Sequence, residues 1–220
     1  MFQRIFFAAI VSGVIAGLFA TAVQSTQVIP LIVEAEKYER REPVPIPQTH
    51  EDHVDEGGDS SRLALTLVSN VVSGVGFALL LVGCFALHGN VDWRRGILWG
   101  AGGFIVFSLA PAVGLPPELP GVDAASLPHR QLWWILTVAA TAAGLALLAF
   151  KPGAAFKALG VVLIVLPHLL GAPHPESGGG LVPRALLERF ILTALMASAA
   201  FWVVLGLCAG YFFNRLKGSC

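Results

Sequence analysis

Apolar residues in this chain fall in long unbroken runs, not in the alternating or single-stripe patterns of soluble strands and helices. Six runs stand out: Ile5 to Val23, Leu63 to Leu87, Gly96 to Leu115, Leu132 to Phe150, Ala154 to Leu170 and Phe190 to Phe213. About 20 apolar residues in helical form cross a hydrocarbon core roughly 30 Å thick. A backbone in lipid must satisfy its own polar groups, and runs of this length without period-2 alternation select helices over a barrel. The pattern predicts an all-α fold, a polytopic integral membrane helical bundle of six candidate transmembrane helices. It forms a single membrane domain over residues 1–220, with a hydrophilic outer loop over 34–62 inside it.

Two of the runs have rival readings. The fifth is short, follows the turn-like Lys151-Pro152-Gly153, contains Lys157 and carries Pro167 near its end. Lys157 can snorkel to the nearer surface from a first-turn position, so the run is read as a span, with a re-entrant or interfacial segment as the alternative. The first run has Arg4 before it and small residues at Ala20 and Ala22, as a secretory signal would. Its apolar stretch is longer than a signal core, and Gly13 and Gly17 form a G-x-x-x-G suited to close packing, so it is read as a retained helix.

Composition supports the membrane class. Mean hydropathy is +0.74 and 13% of residues are charged, against roughly a quarter in soluble domains. Fourteen Lys+Arg balance fourteen Asp+Glu, so no basic nucleic-acid surface is expected. The charges are sorted along the chain instead. With the N-terminus inside, Arg4, Arg94, Arg95, Lys151, Lys157, Arg215 and Lys217 face the cytoplasm, against Arg130, Arg184 and Arg189 in the two shorter outer loops. Every acidic residue except Asp92 then lies on the outer face, a surface that attracts cations. The expected location is the bacterial inner (cytoplasmic) membrane, multi-pass, with both termini cytoplasmic.

Gly13/Gly17, Gly96/Gly100 and Gly206/Gly210 give three G-x-x-x-G pairs inside spans, which points to a compact bundle, with a lined pathway as the alternative; a homo-oligomer is kept among the expected partners. Trp93, Trp99, Trp133, Trp134 and Trp202 are read as a mostly interfacial belt. Cys84, Cys208 and Cys220 are too few and scattered for a disulfide framework, and the first two are read as small apolar packing residues. Phosphate-loop, nucleophile-elbow, H-E-x-x-H and paired C-x-x-C signatures are absent, and a non-enzyme is expected.

The polar constellations sit on the expected outer face. After the first run the chain reads Val33-Glu34-Ala35-Glu36-Lys37-Tyr38-Glu39-Arg40-Arg41-Glu42, and later His50-Glu51-Asp52-His53-Val54-Asp55-Glu56. The second stretch packs two imidazoles and four carboxylates into a Pro- and Gly-flanked loop that can gather divalent cations. In the first, Glu34 and Glu36 abut the membrane, and Glu36 can pair with Arg40 one turn on. The fifth run ends Leu166-Pro167-His168-Leu169-Leu170-Gly171-Ala172-Pro173-His174-Pro175-Glu176, and the Gly and Pro between the histidines let both turn toward one centre. His168, at membrane depth, is the leading ligand candidate; the competing reading is a hydrogen bond to a backbone carbonyl freed near Pro167. Asn70 and Gln24 are read first as interhelical glue.

These blocks resemble the CbtA-type proposed cobalt transporter subunits. The resemblance is carried by Pro30 to Glu39 (PLIVEAEKYE), Asn70 to Gly76, Trp93-Arg94-Arg95-Gly96, Leu109 to Gly121 (LAPAVGLPPELPG), Arg130-Gln131-Leu132-Trp133-Trp134 and Leu166 to Pro175 (LPHLLGAPHP). It implies an integral membrane protein linked to cobalt supply for cobalamin synthesis, acting with a small single-helix, histidine-rich partner subunit. The family is described with five spans, one fewer than read here. The expected cargo is a transported divalent cation, cobalt, with no cofactor permanently bound. His168, His174, Glu34, Glu36, His50 and His53 are the candidate ligands. A non-transporting scaffold that docks a metal-delivering partner is the runner-up, and a membrane enzyme using the His/Glu cluster for metal-assisted hydrolysis comes third.

Overall fold

The computed structural model describes residues 2–39, 56–89, 91–175 and 180–216. They form six helical rods. The first is α1 (Phe2–Val23), a π-helical turn (Gln24–Val28) and α2 (Ile29–Glu39) in unbroken succession. Next come α3 (Glu56–His88) and a rod made of α4 (Trp93–Phe104), a second π turn (Ile105–Leu109) and α5 (Ala110–Gly114). Then follow α6 (Leu127–Phe150), α7 (Ala154–Leu170) and α8 (Arg184–Arg215).

Local sequence explains the boundaries. Asp92 caps α4, its carboxylate accepting from the Arg95 N–H at 3.0 Å. Gly153 and Gly171, at φ of 102° and 86°, bound α7 in the left-handed region that L side chains avoid. Both π turns have one cause in common. Val28-Ile29-Pro30 and Leu109-Ala110-Pro111 each place a proline two residues beyond the turn. A proline ring clashes with the carbonyl four residues back, here Thr26 or Phe107, and the widened turn relieves that clash.

Five of the rods are long and apolar enough to cross a membrane; α7, at 17 residues, is the short one. Seventeen residues still reach about 25 Å. α7 packs antiparallel on α6, with Gly144 against Gly160 between the two backbones and His168 against Trp133 at one end. It therefore traverses the bundle from one face to the other. That accommodates both the six runs and a count of five long spans.

The rods divide into a core of four (α1–α2, α3, α4–α5 and α8) and an α6–α7 hairpin that leans on α5 and the second π turn. The core is held by close approach of backbones, as expected where lipid offers no hydrophobic gain for helix association. A Cβ on Gly17 would stand 2.7 Å from the Asn70 carbonyl oxygen. Gly96 and Gly100 meet Gly206 and Trp202 as closely, and Gly210 meets Asp92. Phe85, Val82, Trp202, Leu205 and Phe213 fill the space between. The outward sides of α3 and α7 expose Leu65, Val68, Val72, Val161, Leu169 and Leu170, an apolar coat fit for lipid.

Contacts at the rod ends define two faces. Arg4 lies over the Phe213 ring at 4.1 Å, and His88 packs on Phe150 at 5.2 Å, so the start of α1 and the ends of α3, α6 and α8 share one face. The opposite face gathers α2, the start of α3, the Leu115–Ser126 connection and the start of α8 around Val28, Leu31, Ala35, Leu119, Leu186 and Phe190.

Several sequence expectations change in detail. The stretch 34–62 is not loop throughout: Glu34–Glu39 continue α2, and Glu56–Arg62 begin α3. Trp202 is 2% exposed at the middle of the bundle, not in an interfacial belt, because the glycines of α4 open room for its ring. Cys84 is exposed on α3 and does not pack. Lys157 donates its ammonium to the Leu148 carbonyl on α6, which satisfies a charge in the first turn of α7.

Candidate functional site

Of the residues expected from sequence to handle metal, Glu34, Glu36, His168 and His174 are described, and they lie on or beside the face opposite the chain's start without converging. Glu36 is engaged by Arg62, whose Nη1 and Nη2 reach its two carboxylate oxygens at 3.0 and 3.5 Å. Glu34, one turn from Tyr38, lines a cavity of about 580 Å³ with Ser25, Lys37 and Arg62. His168 stands in the last turn of α7, beside Pro167, which removes the helical donor to the Leu163 carbonyl. Its ring meets Trp133 edge-on at 6.0 Å, and its buried Nδ1 makes no hydrogen bond among the described residues. His174 is exposed beyond the helix end. His50 and His53 lie outside the described residues, as does Arg40. Among the described residues no three His, Cys, Asp or Glu side chains group to hold an ion.

Below His168, Trp133 Nε1, Thr137 Oγ1 and Thr141 Oγ1 also lack protein partners. They stand at four-residue intervals on one face of α6. Both threonines are fully buried, and neither makes the hydroxyl bond to the preceding turn that Thr21, Thr66 and Thr193 make.

The structure assembles a second site around Asn70 and Gln24, which the sequence offers first as interhelical glue and second as pathway residues. A cavity of about 330 Å³ lies among α1, α3, the second π turn and α8. Its polar wall is Gln24, Asn70, Ser73, Ser108 and Ser198; Phe77, Phe107, Phe201 and Trp202 line the rest with four small or aliphatic residues. Ser198 is midway along α8, so the chamber sits near the middle of the bundle.

Hydrogen bonds fix the Asn70 amide. The Thr21 hydroxyl donates to the Gly17 carbonyl at 2.9 Å, so toward Asn70 it can only accept. Asn70 Nδ2 supplies one hydrogen to Thr21 Oγ1 at 3.1 Å and the other to Gln24 Oε1 at 2.9 Å. The oxygen Oδ1 is what remains for the chamber.

Both π turns border this space, the first through Gln24 and Val28, the second through Phe107 and Ser108. Chain direction orders its walls. Phe77, Phe201 and Trp202 lie toward the face where the chain starts, and their rings, with Phe107, pack at centroid distances of 4.9 to 6.4 Å into an aromatic floor. Toward the other face stands the apolar cluster of Val28, Leu31 and Phe190. Sideways, the Ser108 and Ser198 hydroxyls, 2.8 Å apart, also line a larger cavity of about 880 Å³. That cavity contains the Glu118–Arg130 ion pair, at 2.6 Å. The geometry is a polar chamber at mid-depth, floored by rings and sharing the bonded Ser108–Ser198 pair as a wall with a charged vestibule.

The available signal in the sequence was small polar residues inside otherwise apolar runs, Ser73, Ser108 and Ser198, together with the repeated spacing to Pro30 and Pro111. A family model described as CbtA, probable cobalt transporter subunit, matches residues 2–214, nearly the whole chain. No curated protein and no solved structure is significantly similar to it.

Proposed function

The chain belongs to the CbtA family of probable cobalt transporter subunits, and from that premise we propose that it is the membrane subunit of a divalent-cation uptake system that feeds cobalt to cobalamin synthesis. The observation that carries this reading is the polar chamber at mid-depth. Polar side chains at bilayer depth are costly and mark routes for polar cargo, and secondary transporters place their sites near the midplane where helices depart from regularity. Here two π turns supply that irregularity.

The face bearing Glu34, Glu36, Glu118, Asp123 and Glu188 is outward, and the face with Arg4, Arg94, Arg95, Lys151 and Arg215 is cytoplasmic, in keeping with short-loop Lys and Arg. His50 and His53 gather the ion, and His168 and His174 hold it at the entrance, while Glu34 adds negative charge to the same face. Mixed nitrogen and oxygen ligands suit a site that must also release its ion. In a chain with native cysteines removed, a cysteine at Asp123 should label from outside and one at Arg94 should not; the reverse pattern would invert the orientation.

One observation favours a second reading. Because the described residues contain no group of three metal ligands, the high-affinity ligands belong to a small histidine-rich partner, and this chain is the scaffold that docks it. Cobalt entry into liposomes carrying the purified chain alone separates the two: uptake without a partner supports the transporter, and entry only when the partner is present supports the scaffold.

A further inference from the structure

The chamber wall poses a charge problem that limits what it can bind. Its acceptors are neutral, and among the described residues no charged side chain lines it. A bare divalent ion there would exchange its hydration shell for a few dipoles in a low-dielectric interior, which is strongly unfavourable. The dimensions allow a different solution. Six waters at about 30 Å³ each come to roughly 180 Å³, and the chamber holds about 330 Å³. Waters polarised by a dication are strong donors and need acceptors. Asn70 is oriented by Thr21 and Gln24 so that its oxygen is the group on offer. The serine hydroxyls of α8 and the second π turn add acceptors on the vestibule side. Below, the nearly parallel rings of Phe107 and Trp202, 5.6 Å apart, line the cavity, and aromatic rings attract a cation through their quadrupoles.

We propose that the chamber binds the divalent cation as its intact hydrated ion, through hydrogen bonds from coordinated waters to Asn70, Ser108 and Ser198 above the Phe107–Trp202 floor. This inference rests on the uptake reading for its cargo but concerns a site distinct from the histidines. It assigns the chamber selection by charge and hydrated size. Ligand softness, and with it the Irving–Williams order, then has no grip at this point of the route.

Hexaamminecobalt(III) is the discriminating probe. Its six ammines do not exchange, it matches a hexahydrate in size and donor pattern, and it cannot form a bond from protein to metal. With the full chain in lipid nanodiscs, equilibrium binding of radioactive Co²⁺ should be displaced by hexaamminecobalt(III) at concentrations within about tenfold of those at which Co²⁺ itself binds. Asn70→Leu should weaken both ions at least tenfold. Ser198→Ala, a smaller change that preserves packing, should weaken both severalfold, and Gly76→Ala, where a Cβ meets nothing within 4 Å, should leave both unchanged. A hexaammine that displaces no component of Co²⁺ binding overturns the proposal, as does displacement unaffected by both chamber variants. Binding is read without transport. Loss of chain-dependent cobalt accumulation in cells would sink the uptake reading alone, and accumulation with no chamber binding would sink this inference alone.

Discussion

Arg62 grips Glu36 from across the first connection, fork to fork, with Nη1 at 3.0 Å and Nη2 at 3.5 Å from the two carboxylate oxygens. The pair ties the end of the first rod to the start of α3 and engages a carboxylate that sequence offered as a metal ligand. Its side chains are 40% and 21% exposed, so solvent screening keeps its contribution within about 1 kcal/mol. Glu36→Gln and Arg62→Gln should each lower stability by no more than that and should couple in a double-mutant cycle. If Glu36 serves only this pair, cobalt accumulation in Glu36→Gln will track protein level. A fall beyond protein level would restore it as a ligand.

The spans were legible because length and apolarity are properties of single segments, and so were the glycine pairs, since Gly13/Gly17, Gly96/Gly100 and Gly206/Gly210 all sit at helix crossings. The chamber was not legible. Asn70 reads as glue on its own, and it is glue: both its hydrogens bind the first rod, one on α1 and one on the π turn. Its other role exists only because Ser108, Ser198 and Trp202, distant in sequence, come to the same depth. Trp202 misled for a related reason, since its place in the core depends on missing side chains at Gly100 and Gly103 on another helix. Of the histidines, His168 was legible as unusual from Pro167 beside it, but nothing in sequence put Trp133 against its ring.

Glycine positions offer a controlled comparison. A Cβ at Gly17 would press on the α3 backbone at 2.7 to 2.8 Å, whereas one at Gly76 would meet nothing within 4 Å. Gly17→Ala should therefore cost roughly 1–3 kcal/mol by overpacking. Gly76→Ala should be neutral or mildly stabilising through helix propensity. Thermal unfolding in detergent, followed by loss of monodisperse protein, reads the difference. Equal behaviour of the two variants would mean that α1 and α3 do not meet as described.

Pro111 separates architecture from function. Replacing it with alanine restores an N–H and removes the ring that opposes a regular turn at Phe107, so Ile105–Leu109 can tighten toward α-helical spacing. Tightening rotates Ser108 relative to Ser198 and disturbs the wall between vestibule and chamber. Pro111→Ala should be as stable as the parent or more so, yet cobalt accumulation should fall at least fivefold at matched membrane levels. Stability gained with full accumulation would show that the widened turn merely accommodates the proline.

The histidines allow a graded test of where the ion is held. His168 is positioned before any ion arrives: its ring abuts Trp133 and its Nδ1 is buried without a protein partner. A preorganised ligand spends less of its binding free energy on ordering than one that must be brought into place. His174 follows within six residues, past Gly171 and Pro173. Replacing His168 and His174 together with alanine should cut cobalt accumulation at limiting metal by tenfold or more. The His50→Ala/His53→Ala pair should cost only a few fold, and excess cobalt should abolish the smaller defect first. Accumulation is compared with the partner subunit co-expressed and membrane levels matched. Normal transport by the His168/His174 variant beside a failing His50/His53 variant would move the holding site to the first connection. Indifference to both would leave the ligands with the partner and make this chain its scaffold.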